Sequence, residues 1–191
     1  MKQLLIILLL LCPFVGQAQK QQSKYLAGAV PVVNGMVVFS ERIPANGLSK
    51  AERFERMQAY VTQIVDVKDK LPNSRITQAS LKEGVIAASV QEYLWFKRNS
   101  LVWDRTQFFY QLVVQVEDDA THIMLRNLRY YYEGAETPNA DLNYRAEDWI
   151  TDAEALKKGG KKLTRVAGRK FRVKTIDRKD EIIAGAVAVL K

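Results

Sequence analysis

The chain has 191 residues, 48% of them apolar and 9% aromatic, which suits one medium-sized globular domain and excludes a low-complexity protein. Its formal net charge is +8, yet eleven of the 29 basic and three of the 21 acidic residues fall between Lys157 and Glu181, so the rest of the chain is balanced. Cys12 is the only cysteine, which excludes an intramolecular disulfide and a cysteine-cluster metal site.

At the N-terminus, Lys2 leads into an apolar run from Leu4 to Val15, and small residues follow at Gly16 and Ala18. A charged start, a short apolar middle and a small-residue end describe a secretory signal peptide over residues 1–18, cleaved after Ala18. Two rival readings are a membrane anchor and a lipoprotein. A membrane anchor needs about 20 apolar residues, and this run is shorter and interrupted by Pro13. A lipoprotein would attach at Cys12, but the bulky Leu10 and Leu11 precede it. Cleavage removes Cys12, places the mature chain in the periplasm or outside the cell, and leaves no second run of membrane-spanning length.

Residues 19–29 read as a flexible lead-in and 30–191 as a single α+β domain. Asn34-Gly35 between apolar runs signals a hairpin, and Met36 to Ile43 reads as the first full strand. Ser49 and Glu52 form a capping box ahead of a helix that should end near Asp66. Phe54, Met57, Val61, Ile64 and Val65 form its apolar side, with Arg53, Arg56 and Gln63 off it. Four strand-like stretches follow: Arg75 to Leu81, Val85 to Phe96, Phe108 to Val116 and Thr121 to Tyr132. Turns are expected at Glu83-Gly84 and Asp118-Asp119. Residues 134–143 read as a polar loop, and Glu147 to Lys158 as one or two helical turns stopped by Gly159-Gly160. Phe171 to Leu190 reads as a helix with a stripe of Ile176, Ile183, Val187 and Leu190, although Lys170 to Ile176 also alternates as an edge strand would. The predicted fold is a curled antiparallel sheet of about five strands, ordered strand, helix, four strands, helix, with both helices on one face.

Chemistry-bearing motifs are sparse. His122 is the only histidine and falls in a strand, where a lone imidazole is more often a surface or core residue than a ligand. Asp118-Asp119 reads as a turn rather than a carboxylate pair, and Glu147, Asp148 and Asp152 as acids offsetting a helix dipole. The Gly160-Lys161 pair lacks the first glycine and the hydroxyl of a phosphate loop, because Ala155 and Lys162 stand there. No catalytic residue, metal or cofactor is expected. Two features remain as partner-binding candidates. The open sheet face would carry Tyr93, Trp95 and Phe109, beside Gln111 and Gln115. The basic segment, read as helical over 157–191, offers Lys161, Lys162, Arg165, Arg169, Lys170, Arg172 and Lys174.

The block VPVVNGMVVFSERIPANGLSKAERFERM from Val30 to Met57, with AEDWI at 146–150 and FRVKTIDRKDEI at 171–182, resembles a Bacteroidota family of secreted proteins. That family is labelled domain of unknown function 4468, with a TATA-binding-protein-like fold. The resemblance covers roughly Val30 to Asp180 and rests on an extended strand, Gly-Leu-Ser before a helix, and Thr-Ile-Asp near the C-terminus. It implies the same element order and brings no activity and no catalytic residues. DNA binding by the eukaryotic namesake uses two such repeats, and only one is readable here.

The expectation is therefore an exported, non-enzymatic domain with an unknown protein or envelope partner and no nucleic acid. One alternative is an envelope component holding anionic lipid or glycan by the basic segment; another is a hydrolase of unfamiliar type, in which His122 would take part.

Overall fold

The computed structural model describes residues 24–66, 71–99, 103–132 and 143–191. The signal sequence read over 1–18 lies outside these residues, as does the loop read over 134–143 apart from Asn143.

Strands β1 (Val32–Val33) and β2 (Met36–Val37) pair across Asn34-Gly35, whose φ angles of 51° and 77° are those a tight two-residue hairpin demands. The single strand expected over Met36 to Ile43 is broken. Val37 N donates to Glu147 Oε1 at 2.7 Å and Val38 N to Pro31 O at 3.3 Å, so the backbone leaves one ladder before β3 (Phe39–Pro44) joins another. Helix α1 (Lys50–Val65) starts on the expected capping box: Glu52 N donates to Ser49 Oγ, and Ser49 N to Glu52 Oε2. Phe54, Met57, Val61, Ile64 and Val65 are buried as its pattern predicts.

Strands β4 (Arg75–Ser80), β5 (Val85–Arg98), β6 (Trp103–Val116) and β7 (Ala120–Tyr131) form an antiparallel meander, and β3 closes its edge to give the order β3-β7-β6-β5-β4. A sixth strand, β8 (Asn143–Arg145), pairs with β7 at residues 129–131, beyond the stretch that β3 holds. Alternation sends Ile86, Ala88, Val90, Leu94, Phe108, Tyr110, Leu112, Val114 and Val116 inward, where all are buried.

The C-terminal segment differs from its reading. The helical turns expected over Glu147 to Lys158 shrink to α2 (Asp152–Ala155), and the chain then makes a small hairpin of β9 (Leu156–Lys157) and β10 (Lys162–Leu163). Its strands are two residues each, too short to register as alternation. A π-helical turn (Ala167–Arg172) runs directly into α3 (Val173–Val189), which settles Lys170 to Ile176 as helix rather than strand. On α3 the fully buried positions are Thr175, Ile176, Ile182 and Ala186, with Leu190 just beyond it; Ile183 and Val187 are half-buried. The rotation follows from Tyr60 of α1, whose hydroxyl donates to Ile182 O and whose ring lies against Gly185.

Helices α1 and α3 pack together on the inner face of the sheet, and the core lies between them and the strands. Residues 24–29, read as part of a flexible lead-in, lie along this assembly: Lys24 and Tyr25 bond to Asp177, and Gly28 N donates to Asp152 Oδ2 at 2.8 Å.

Two arginines, Arg53 and Arg172, are buried against the expectation from their charge. Arg53, expected on the solvent side of α1, is fully buried. Its guanidinium donates to the carbonyls of Leu48, Glu117, Asp118 and Ala120 and to Thr121 Oγ1, and so ties the helix start to the β6–β7 turn. Such a charge tolerates burial because every donor direction ends on an oxygen.

Candidate functional site

The outward side of the sheet is read directly from the strand register. Across β5 and β6 the outward pairs are Val85–Gln115, Ala87–Val113, Ser89–Gln111, Gln91–Phe109, Tyr93–Gln107 and Trp95–Arg105. On β7 the outward partners are His122, Met124, Arg126, Arg129 and Tyr131. None of these positions is a carboxylate; rings, amides and guanidinium groups predominate, with Val85, Ala87, Ser89, Val113 and Met124 among them.

Tyr93, Trp95 and Phe109 all stand on this face, as the alternation predicts. At one end, Arg105 lies over the Tyr93 ring at 3.7 Å and over Trp95 at 4.9 Å, and Arg98 lies over Trp95 at 4.7 Å. Trp103 completes the group edge-on to Trp95, with centroids 6.1 Å apart, and is 68% exposed. Contacts of this kind at the surface are worth about 0.5–1 kcal/mol each, enough to order the rings but not to explain why an indole stands in water. Trp103 and Arg105 were missed because the sequence reading began this strand at Phe108; extending its alternation backwards would have found them.

In the middle of the face, Phe109 is the floor of two adjoining hollows of about 210 and 330 Å³. Gln91 and Arg129 line both; Ser89, Gln111 and Asn127 complete the first, and Tyr144 and Arg145 the second. Gln111 Oε1 accepts from Arg126 Nε at 2.7 Å, which holds that amide across the strands. A ring floor with amide and guanidinium walls can stack on a flat or CH-rich group while donating hydrogen bonds to its oxygens.

The basic segment is divided by the fold. Arg172 is corrected from a candidate contact to an internal clamp: it is fully buried and donates to Tyr25 O, Leu26 O, Ile150 O and Asp152 Oδ1 at 2.6–2.8 Å. Lys170 bonds Asp104 at 2.5 Å and the Tyr132 hydroxyl; burial opposes its charge, but these partners outweigh it and raise its pKa. Lys161, Lys162, Arg165 and Arg169 are exposed around the β9–β10 hairpin. Lys174 is half-buried in a hollow of about 620 Å³, which lies between α3 and β5 and also touches Tyr93 and Trp95. There Arg178 donates twice to Glu92, at 2.8 and 2.9 Å, and Tyr110 donates to the same carboxylate. Burial, with Glu92 beside it, pushes the Tyr110 hydroxyl well above its ordinary pKa, and this network is internally satisfied.

Of the acids near α2, Asp152 stands in the helix's first turn and also accepts from Gly28 N and Arg172, while Glu147 accepts from Val37 N. His122 stands outward on β7 with Nε2 3.4 Å from Glu117 Oε2. Among the described residues, no group of three or more His, Cys, Asp or Glu side chains could hold a metal ion, and no helix is long and apolar enough to cross a membrane.

An antiparallel sheet with both helices on one face and an open second face defines a class of α+β domain. Residues 39–131 match the family model described as domain of unknown function (DUF4468) with TBP-like fold. A DUF4468 family protein from Bacteroides ovatus ATCC 8483 has a solved structure with 32% identity and a TM-score of 0.79, covering 88% of this chain and 94% of its own. The chain belongs to this family. A TBP-like protein from Parabacteroides distasonis ATCC 8503 shares the fold at 20% identity and TM-score 0.67, over 84% of this chain and 96% of its own. None of the curated proteins is significantly similar.

Proposed function

We propose that the protein is an exported, non-catalytic binding domain that receives its partner on the outer face of the sheet. One observation carries this reading: the outward positions of β5, β6 and β7 hold rings, amides and arginines and no acid, around hollows floored by Phe109 and beside the exposed Trp103. Leaving the Trp103 indole unshielded is unfavourable for solubility and is offset when a partner covers it. The partner chemistry that fits is a glycan or extended peptide with oxygen acceptors and a flat or CH-rich side. Export rests on the signal-like residues 1–18.

The test is capture from envelope extract with the wild-type protein and with a Tyr93→Ala/Trp95→Ala/Trp103→Ala variant. Specific partners should fall at least tenfold in the variant, and salt should change capture little, because rings rather than charge carry the contact. An unchanged set of partners overturns the reading. Loss of a hydrolytic activity in His122→Ala, found by a broad substrate screen, would replace it with an enzymatic one.

A further inference from the structure

We propose that the β9–β10 hairpin and the π-helical turn behind it form a second site, a docking surface for a bilayer rich in anionic phospholipid headgroups. The proposal is independent of the sheet face.

Cations gather here without partners. Lys157, Lys158, Lys162, Arg165 and Arg169 surround a shallow hollow of about 290 Å³ floored by Leu163 and Thr164. Among the described residues none of the five makes an ion pair, whereas Lys170, Arg172 and Arg178 in the same basic segment all do. Lys157 and Lys162 are direct cross-strand partners, an arrangement in which like charges repel.

The hairpin that carries the cluster is fastened to the domain. Thr164 N donates to Ala155 O at 2.8 Å, and Gly168 N donates to Thr164 Oγ1 at 2.8 Å. Gly168 sits so close that a Cβ there would lie 2.5 Å from Ala155 O and 3.0 Å from Leu163 Cβ. Lys158 is held at φ 53°, a conformation that side chains other than glycine and asparagine rarely adopt. The fold therefore carries five like charges on one fastened segment, with no ion pair among the described residues, and an external array of anions offsets their repulsion.

A bilayer suits this surface better than a single small anion. The hollow is shallow, its rim is cationic on several sides, and Val166 beside it is 38% exposed. Several basic residues near an anionic leaflet act together, without each needing a shaped pocket. Ala27 Cβ lies 2.8 Å from where a Cβ on Gly160 would stand, so residues 24–29 run beside this hairpin.

Vesicle co-sedimentation tests the proposal. The purified exported protein is mixed with phosphatidylcholine vesicles, or with vesicles also containing phosphatidylglycerol, across a range of salt. Retention should require phosphatidylglycerol and fall steeply as salt rises. A Lys157→Gln/Lys162→Gln/Arg165→Gln/Arg169→Gln variant should lose at least tenfold in retention and unfold no earlier than wild type. A Lys50→Gln/Lys82→Gln variant, with charge removed elsewhere, should bind as wild type does. No retention at low salt, or equal retention of the fourfold variant, overturns the proposal. Binding of inorganic polyphosphate or of short duplex DNA without vesicle retention also overturns it and makes the ligand a soluble polyanion. Retention lost only in the Tyr93→Ala/Trp95→Ala/Trp103→Ala variant would move lipid contact to the sheet face.

Discussion

Arg169 and Arg172 lie three residues apart in one π-helical turn and are put to opposite uses. Arg172 is fully buried, with its donors on three carbonyls and a carboxylate, whereas Arg169 rims a hollow of unpaired cations. On an α-helix residues three apart share a side. Here the winding is wider, with Arg169 N donating to Thr164 O and Phe171 N to Val166 O, and the two arginines part company. A run of positive charge in a sequence is thus two populations, one holding the fold together and one that the fold holds apart from its acids.

The sharpest way to break this contrast is to truncate each side in turn. Arg172→Ala should lower unfolding free energy by about 3–5 kcal/mol in a denaturant titration, because Asp152 and three carbonyls, that of Ile150 buried, lose a donor and a large side chain leaves a cavity. Gly168→Ala should cost about 1–3 kcal/mol by the same measurement, since the new methyl meets Ala155 O and must push the hairpin off the π-helical turn. Lys170→Met should cost no more than about 1 kcal/mol, because its pair with Asp104 is partly solvated. Lys162→Gln should change stability by less than about 0.5 kcal/mol and in the stabilising direction, since it removes a repulsion and no contact.

Acid sharpens the contrast further. Asp180 bonds Lys24 and Lys179; burial opposes its ionisation, but these ammonium groups outweigh it and hold its pKa below the ordinary value of 3.8. A lowered carboxylate contributes stability above its unfolded pKa and loses it as pH falls through the folded one. Asp180→Asn should therefore flatten the decline of stability from just above pH 3.8 downward, and Lys162→Gln should leave that decline unchanged. Thermal unfolding followed by circular dichroism at a series of pH values reads both.

Much of this architecture was legible in the chain, and the failures share a cause. Period-two alternation from Val85 to Tyr132 fixed the meander and correctly placed Tyr93, Trp95 and Phe109 outward, and Ser49 with Glu52 marked the start of α1. What alternation cannot report is a polar side chain that folds inward. Arg53 and Arg172 were assigned to solvent by charge, although carbonyls from distant turns converge on each guanidinium. Nor can it report a two-residue ladder, so the β9–β10 hairpin was read as helix. Within the candidate face, Trp103 and Arg105 escaped because the strand was started five residues late. The division of the basic segment into inner and outer cations could not be seen at all, since it depends on a change of helical winding.

The Arg172 clamp has a bearing on when the chain can fold. Its acceptors at Tyr25 and Leu26 lie 147 and 146 residues upstream, so that stretch waits for the π-helical turn before Arg172 can hold it. Loop closure over such a span is slow, and an emerging chain lacks this contact until its C-terminal helix is made. If the chain is exported as proposed, a fastening supplied by this C-terminal segment keeps the upstream thread loose until that segment has followed it.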